Sequence, residues 1–157
     1  MVRSPYADPM RLALEEARLA DAEGDVPIGA VIVDADGRTV ARGHNQRESR
    51  SDPTAHAEVL AIRAAAELVG SWRLDELTLV VTLEPCTMCA GAIVLSRLAR
   101  VVYGTPDPKA GAVGSLWDVV RDRRLNHRPE VISGVMRAEC AAVLQGWFEE
   151  KRASGSG

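Results

Sequence analysis

The sequence predicts a single α/β domain, built as a three-layer α/β/α sandwich around a five-stranded mixed sheet. Two apolar, strand-like runs, 77–83 and 100–104, flank a helical pattern over 86–98. Strand–helix–strand order of this kind favours parallel pairing, with helices covering the sheet. An earlier pair of strand-like runs is separated by an Asp36-Gly37 turn, which is typical of an antiparallel hairpin. The length of 157 residues fits one domain.

The first half of the chain contains recognisable helix and turn signals. Asp8 is predicted as an N-cap followed by Pro9 at the first helical position, and Gly24 can end that helix. The hairpin is expected to run from Ile28 to Gly43, and residues 46–54 form a polar loop. The Asp-Pro-Thr run that ends this loop opens a second helix, expected over about 55–69.

The second half alternates between strand and helix patterns. Pro85 ends the strand over 77–83, and the Gly- and Pro-rich segment 105–118 is expected to be a loop. A last strand is predicted over 129–133 and a C-terminal helix over 137–152. We therefore expect one domain over residues 1–152 and a flexible tail over 153–157.

Composition narrows the class of protein. A hydrophobic fraction of 46% and a charged fraction of 26% are ordinary for a soluble globular domain. The N-terminus lacks the apolar segment of a signal peptide, so a cytoplasmic location is expected. A net charge of −3 does not indicate nucleic-acid binding, which would need a local basic patch. Three cysteines without a secretion signal argue against a disulfide framework.

Cys86 and Cys89 stand three apart at the start of a predicted helix, where they share one face. The positive end of the helix stabilises thiolates, so the pair suits either a metal or redox chemistry. The redox alternative is weakened by Thr87-Met88, which replaces the Gly-Pro typical of thioredoxins. A closed structural zinc site would need a second such pair, and none exists. The remaining candidate ligands are His44, His56, His127 and Cys140.

His56 is the best of these candidates, because it begins the helix before the strand that delivers the cysteines. Helix N-termini of neighbouring crossover units lie at one edge of a sheet, where open α/β sheets place their sites. Glu58 is poorly placed as a further ligand, but it can reach a water in the fourth position. Three protein ligands and one water are the pattern of a catalytic zinc. A surface helix start with an acid near its dipole is the alternative for His56 and Glu58.

His-Ala-Glu at 56–58 followed by Pro-Cys-x-x-Cys at 85–89 is the signature of zinc nucleobase deaminases. The similarity extends further, over about residues 5–152. The segments "DVPIGAVIV" and "DPTAHAEVLAIR", the long block 81–118 and the segment "NHRPEV" resemble, in order, the bacterial tRNA-specific adenosine deaminases (the TadA family). The Asp-Pro-Lys-x-Gly-Ala-x-Gly-Ser loop within that block is not expected of a generic cytidine deaminase.

This resemblance implies a cytidine deaminase-like fold and hydrolytic conversion of adenosine to inosine at the wobble position of a tRNA anticodon, with arginine tRNA expected. It also implies a homodimer with one Zn²⁺ per subunit. His56, Cys86 and Cys89 would ligate the metal. Glu58 would carry protons from the zinc water to the ring nitrogen and then to the leaving ammonia. Attack would occur at C6 of a flipped adenine.

The resemblance also implies a set of substrate contacts. Asn45 matches the asparagine that holds the target nucleoside, since an amide donates and accepts at once. Val26 and Leu83 match apolar wall positions, although Leu83 is equally well explained as the end of a core strand. The backbone N–H groups of Ala57 and Cys86 would face the substrate. Loop residues add the remaining contacts, namely Asp107, expected near a 2′-OH, and Lys109.

Several basic residues are candidates for a rim that binds RNA, with scattered solvated charges as the alternative. They lie in predicted loops or helix ends: Arg47, Arg50, Lys109, Arg121, Arg123, Arg124, Arg128, Lys151 and Arg152. Glu149-Glu150 precede the last two and reduce the positive charge of the C-terminal helix. Cys140 lies on an apolar helix stripe and is expected to be buried rather than to bind metal.

Two other functions fit parts of the pattern. A deaminase of a free base or nucleoside, such as guanine or cytosine, would share the fold and the zinc site. A non-catalytic, zinc-folded RNA-binding module would share the ligands but would not need the carboxylate of Glu58.

Overall fold

The computed structural model describes residues 3–155, which form five helices and five strands within that range. The helices are α1 (Ala7–Ala22), α2 (Arg47–Arg50), α3 (Ala57–Val69), α4 (Thr87–Leu95) and α5 (Arg137–Ala153). The strands are β1 (Gly29–Val33), β2 (Thr39–His44), β3 (Thr78–Leu83), β4 (Arg100–Thr105) and β5 (Glu130–Ser133).

The five strands form one mixed sheet in the order β2-β1-β3-β4-β5. Strand β1 is antiparallel to both of its neighbours, while β3, β4 and β5 are parallel. One face of the sheet packs against α3 and α4, and the other against α1 and α5. The predicted three-layer α/β/α sandwich with a five-stranded mixed sheet is therefore confirmed.

Alternating side chains of the central strands supply the two cores. Leu79 and Val81 of β3 lie in the cluster beneath α3 and α4, whereas Val80 lies in the cluster beneath α1. All three are fully buried, as expected for a strand covered on both faces. The continuous apolar pattern of β3 follows directly from this double coverage.

Only one of the two crossover connections that contain α3 and α4 joins adjacent strands. Helix α4 connects the adjacent strands β3 and β4, but α3 connects β2 to β3 with β1 lying between them. Because β1 is antiparallel to both, β2 and β3 still run in the same direction. The N-termini of α3 and α4 consequently meet at one edge of the sheet, as the sequence predicted.

Helix α3 sits unusually close to the sheet. A Cβ added at Gly43 of β2 would lie 2.5 Å from the carbonyl oxygen of Ala57 and 2.8 Å from the nitrogen of Ala61. Only a glycine permits this approach. The close contact fixes the first turn of α3, and with it His56 and Glu58, against the end of β2.

The ends of several elements differ from the sequence predictions. Helix α1 begins at Ala7 with Tyr6 at the N-cap, so the prediction of Asp8 as N-cap was wrong. Asp8 lies in the first turn and bonds Arg3 and Arg11 at 2.7 and 2.6 Å. Pro9 is tolerated there because the first N–H groups of a helix have no intrahelical partner.

Two further differences concern the middle and the end of the chain. The predicted polar loop contains the single-turn helix α2. Helix α4 stops at Leu95, before the predicted 98, and Arg97 adopts a positive φ of 63° just beyond it. Helix α5 reaches Ala153, one residue into the predicted tail, whose last residues, 156 and 157, lie outside the described range. Between residues 3 and 155, no helix is both long and apolar enough to cross a membrane.

Candidate metal centre and active site

Three predicted ligands meet at the N-termini of α3 and α4. His56 is the N-cap of α3, Cys86 is the N-cap of α4, and Cys89 lies in the first turn of α4. His56 Nδ1 lies 3.6 Å from the sulfur of Cys86 and 3.6 Å from that of Cys89. All three ligand atoms lie within 4.8 Å of one another.

This geometry fits zinc. Tetrahedral zinc bonds of about 2.3 Å to sulfur and about 2.0–2.1 Å to nitrogen place nitrogen and sulfur about 3.6 Å apart. That is the separation of His56 Nδ1 from both sulfurs. One imidazole and two thiolates are also a common donor set for zinc. The residues present can therefore hold the ion through three protein ligands.

The protons of the cluster are unevenly shared. A hydrogen bond from the Cys89 thiol, assisted by His56, lowers the pKa of Cys86 to about 4. The same bond, together with burial, raises the pKa of the Cys89 thiol. Hydrogen bonding to Cys86 raises the pKa of His56. Cys86 is thus a thiolate ready for a cation, and the other ligands give up protons when a metal binds.

Glu58 lies beside the cluster in the first turn of α3, and it is buried, with only 4% of its surface exposed. Burial raises the pKa of Glu58 to about 7, and the negative charge of Cys86 adds to that effect. A carboxyl that titrates near neutrality can accept a proton and return it within one reaction. Its side chain also hydrogen-bonds Cys89, which places it against the ligand set.

The other cysteine and histidines have contacts of their own. Cys140 is 1% exposed against the sheet, near Gly104, and burial raises its pKa to about 12. His44 bridges Glu16 of α1 and Glu23, the C-cap of that helix, through its two ring nitrogens, at 3.1 and 3.0 Å. His127 Nε2 lies 2.6 Å from the carbonyl oxygen of Leu98. Within the described part of the chain, the possible metal-binding group is His56, Cys86 and Cys89.

Asn45 links the end of β2 to the start of α3. Its side chain is buried, and its Oδ1 accepts a hydrogen bond of 2.9 Å from the N–H of Ala57. The N–H of Asn45 itself donates to Ile28, next to β1. The Ala57 N–H, expected to face the substrate, is therefore engaged by Asn45 in this structure. The Asn45 amide nitrogen is the donor that the arrangement leaves for a ligand.

Four predicted substrate residues line one cavity of ≈ 450 Å³. Val26 and Leu83 lie on the sheet side, and Asp107 and Lys109 come from the loop after β4. The opposite wall is made by α5, which the sequence reasoning did not include: Ala141, Leu144, Gln145 and Phe148. Phe148 of this wall is 48% exposed, an exposure that the sequence alone does not reveal.

A second groove, of ≈ 380 Å³, continues from this cavity and shares Val26 and Phe148 with it. It is lined by Arg47 of α2 and by Trp147, Lys151 and Arg152 of α5. Lys151 stacks on the Trp147 ring at 5.3 Å. The groove combines cations and aromatic rings, the surface that single-stranded nucleic acids prefer.

Several of the other basic residues proposed for the rim are already engaged. Arg121 and Arg124 form ion pairs with Asp118 and Asp122, at 2.9 and 2.6 Å. Arg50 donates to Gln46. Arg47 donates to the buried carboxylate of Asp25, which fixes the position of α2 beside Val26. The candidate rim is therefore concentrated on the side of the cavity formed by α5, with Lys151 and Arg152.

Comparison with known proteins agrees with this site. The family model for the cytidine and deoxycytidylate deaminase zinc-binding region matches residues 4–105. This match and the His-Cys-Cys cluster define a zinc-dependent deaminase.

Individual relatives are more specific. A tRNA-specific adenosine deaminase of Bacillus subtilis is 50% identical over 143 residues, covering 91% of this chain and 88% of the relative. One from Haemophilus influenzae is 47% identical over 152 residues, covering 96% of this chain and 88% of the relative. The chain belongs to the tRNA-specific adenosine deaminase family.

Two solved structures share the fold of this chain but differ in how similar their sequences are to it. A structure from a study of A-to-I editing by tRNA:A34 deaminases superimposes with a TM-score of 0.84 at 48% identity, covering 87% of this chain and 99% of that one. A guanine deaminase from Nitrosomonas europaea superimposes with a TM-score of 0.78 at 25% identity, covering 95% and 87%. The fold is common to both, but the sequence is much closer to the first.

Proposed function

We propose that this protein hydrolyses adenosine to inosine at the wobble position of a tRNA anticodon, with an arginine tRNA as the expected substrate. The observation that carries the proposal is the buried Glu58 carboxyl beside a ligand set with three protein members. The identity of 50% to a tRNA-specific adenosine deaminase supports the choice of substrate. A tRNA substrate also favours a cytoplasmic location.

The residues of the site divide the chemistry between them. Bound zinc supplies the acidification of a water molecule. Glu58 accepts a proton from the attacking water and delivers it to the ring nitrogen beside C6. It then moves a second proton to the leaving amino group. The carbon–nitrogen bond breaks, ammonia leaves, and inosine keeps the oxygen. A buried carboxyl beside the attacking water can take up a proton and return it within one reaction.

Binding and orientation fall to the residues that line the cavity and to Asn45, which lies outside its lining, as do Glu58 and the metal ligands. Its volume of ≈ 450 Å³ is within the usual range for small-ligand pockets. Val26 and Leu83 provide apolar walls for an extruded base. The Asn45 amide can donate to the base or the ribose. Asp107 Oδ1 accepts from the backbone of Lys109 and Ala110, at 3.0 and 3.3 Å, so Oδ2 is free of that turn and can accept a 2′-OH.

The direct test is a panel of substrates given to the zinc-loaded protein. Anticodon stem-loops of arginine tRNA, the same stem-loop made of DNA, free adenosine, guanine and cytidine are incubated separately. We expect conversion of the RNA stem-loop alone at low enzyme concentration. We also expect Asp107→Asn to lose activity on RNA or gain it on DNA. Deamination of guanine or cytidine instead would favour the alternative function, a deaminase of free bases or nucleosides.

Salt dependence separates RNA recognition from recognition of a small molecule. If Lys109 and the α5 cations contact phosphates, kcat/KM on the stem-loop should fall about tenfold or more between roughly 50 and 200 mM salt. Free nucleoside, used as a control at high concentration, should show little salt dependence. A flat response on the stem-loop would contradict phosphate binding by this rim.

We also propose that the protein acts as a homodimer. Helices α3 and α4 expose an apolar groove of ≈ 520 Å³, lined in part by Val59, Ile62 and Leu95. Leu95 is 71% exposed and Trp72, at the rim of the groove, is 61% exposed. Large exposed apolar patches of this kind favour association. The groove lies on the same helices as His56 and the cysteines, so a partner there would brace both ligand-bearing elements.

Replacing Leu95 by Asp should convert the dimer to a monomer, because the carboxylate would lose its water at the contact. Analytical ultracentrifugation measures the mass directly. Leu19→Asp is the matched control, since Leu19 is 49% exposed on α1 at the other face of the sheet. A wild-type protein that sediments as a monomer at micromolar concentration would refute the dimer.

A further inference from the structure

Glu84 is a buried carboxylate that the reaction does not use. It is 2% exposed and lies between Leu83, the last residue of β3, and Pro85, which leads to the ligand Cys86. A charge with so little access to water needs strong compensation from its surroundings. That compensation comes from one segment of the chain, the loop that follows β4.

The loop surrounds the carboxylate with donors. Oε1 accepts from the backbone N–H of Asp107 at 3.0 Å and from the hydroxyl of Ser115. Oε2 accepts from the backbone N–H groups of Val113 and Ser115, both at 3.0 Å. Two oxygens thus receive four hydrogen bonds, which is close to the full capacity of a carboxylate.

Besides these bonds, the loop is held by the full burial of Ala112 and Val113 in the core and by backbone hydrogen bonds within itself. No helix or strand lies between β4 and β5 in the described chain, apart from the single bridge between Val113 and Asp118. Prolines at 106 and 108 remove two backbone donors from its start. One further anchor joins the Ala112 N–H to the carbonyl of Pro85, at 2.8 Å, again beside Glu84.

Gly111 shows how tightly the loop closes over the carboxylate. A Cβ at this position would collide with the carboxyl group of Glu84 and would lie 2.5 Å from the carbonyl oxygen of Asp107. A side chain at 111 therefore cannot be accommodated without moving the loop or the carboxylate. The backbone is packed directly onto Glu84.

We propose that Glu84 is a positioning residue for substrate recognition: it ties the loop over 106–115 to the strand end that delivers the zinc ligands. Through this link, Asp107 and Lys109 are held at the cavity in a fixed relation to the metal site. The inference rests on the proposed function for its substrate, an RNA anticodon loop. The proposal itself is separate from that function, because it concerns only which contacts hold the loop in place.

Glu84→Gln is the sharpest variant, because it keeps the volume of the side chain. Whichever carboxylate oxygen is replaced by the amide NH₂ group, that group would face two hydrogen-bond donors of the loop. Two hydrogen bonds would therefore be lost, and donor groups would face each other. We expect zinc content to remain at one per chain. We expect kcat/KM on the stem-loop to fall about 100-fold, mainly through KM, since small misplacements of binding groups have effects of that size.

Amide hydrogen exchange, measured on the zinc-loaded protein without substrate, distinguishes a local loosening of the loop from a general loss of stability. The amides of Asp107, Val113 and Ser115 should exchange about tenfold or more faster in Glu84→Gln, while those of α3 and β3 keep their wild-type rates. Glu76→Gln, an exposed change just before β3, is the matched control and should leave rates and kinetics unchanged.

Ser115→Ala provides a milder second variant, which removes only the hydroxyl donor and should raise KM several-fold in the same direction. Unchanged loop exchange in both variants, or faster exchange throughout the protein with loss of zinc, would overturn the proposal. A wild-type protein that is inactive on the stem-loop would refute the proposed function. Loop exchange would still decide whether Glu84 orders the loop.

Discussion

Glu58→Gln should reduce turnover about 10³-fold or more while the protein keeps its zinc. General acid–base groups typically contribute about 10²- to 10⁴-fold, and here one group is asked to serve two successive proton transfers. Glutamine has the same shape but cannot carry a proton at neutral pH. Single-turnover kinetics on an anticodon stem-loop, with metal content measured on the same samples, give both quantities.

The control for this variant lies on the same helix. Glu67 is exposed near the end of α3, so Glu67→Gln makes the same chemical change away from the cluster and should leave turnover unchanged. If Glu58→Gln instead lost zinc in proportion to its activity, Glu58 would be a structural support of the metal. Full activity with full zinc would remove Glu58 from the chemistry altogether.

Cys89→Ala should abolish stoichiometric zinc binding and, with it, activity. Cys89 is fully buried, and its sulfur is one of the three ligand atoms. Removing a direct ligand should weaken zinc by about 100-fold or more, since even groups that only support ligands account for about 10- to 100-fold. Competition with a chromophoric chelator measures the affinity, and a thermal scan should show a lower melting temperature.

Cys140→Ala is the matched comparison, because Cys140 is also a buried cysteine but packs on the opposite face of the sheet. We expect it to keep one zinc per chain and most of its activity. Its melting temperature should fall only modestly, as for loss of a small apolar group. Equal zinc loss in the two variants would mean that the site depends on overall stability rather than on ligation by Cys89.

The metal cluster was predictable from sequence because its spacing is constrained by local geometry. Cys86 and Cys89 share a helix face, and His56 opens the preceding helix, so only the meeting of two helix N-termini had to be inferred. The structure confirms that meeting. The path of the connection from β2 through α3 to β3 could not be inferred. Nothing in the sequence near α3 indicates that this connection passes over β1.

Residues whose roles depend on distant partners were the ones that sequence reasoning missed. In the sequence, Glu84 is one acidic residue between a predicted strand and a proline. Its hydrogen bonds come from a loop more than twenty residues later, so only the structure shows them. The α5 wall of the cavity was missed for the same reason, since helix periodicity shows which face is apolar but not which cavity it covers.

Local sequence signals also failed to predict the start of α1 and the presence of α2. Asp8 was predicted as an N-cap because it precedes proline, yet the helix begins at Ala7, two residues earlier than predicted, and Asp8 pairs with Arg3 and Arg11 instead. Helix α2 is a single turn inside a polar run, too short for any periodic pattern. Such boundaries depend on side-chain pairing and on tertiary contacts.

The central claim is hydrolytic deamination of the wobble adenosine at a metal centre with three protein ligands. Mass spectrometry of an arginine-tRNA anticodon stem-loop, treated with the zinc-loaded protein in ¹⁸O-labelled water, tests it most directly. We predict one labelled oxygen in place of the amino group, at the wobble residue alone, with release of ammonia. An unchanged stem-loop, an unlabelled product, or deamination at another residue would contradict the account.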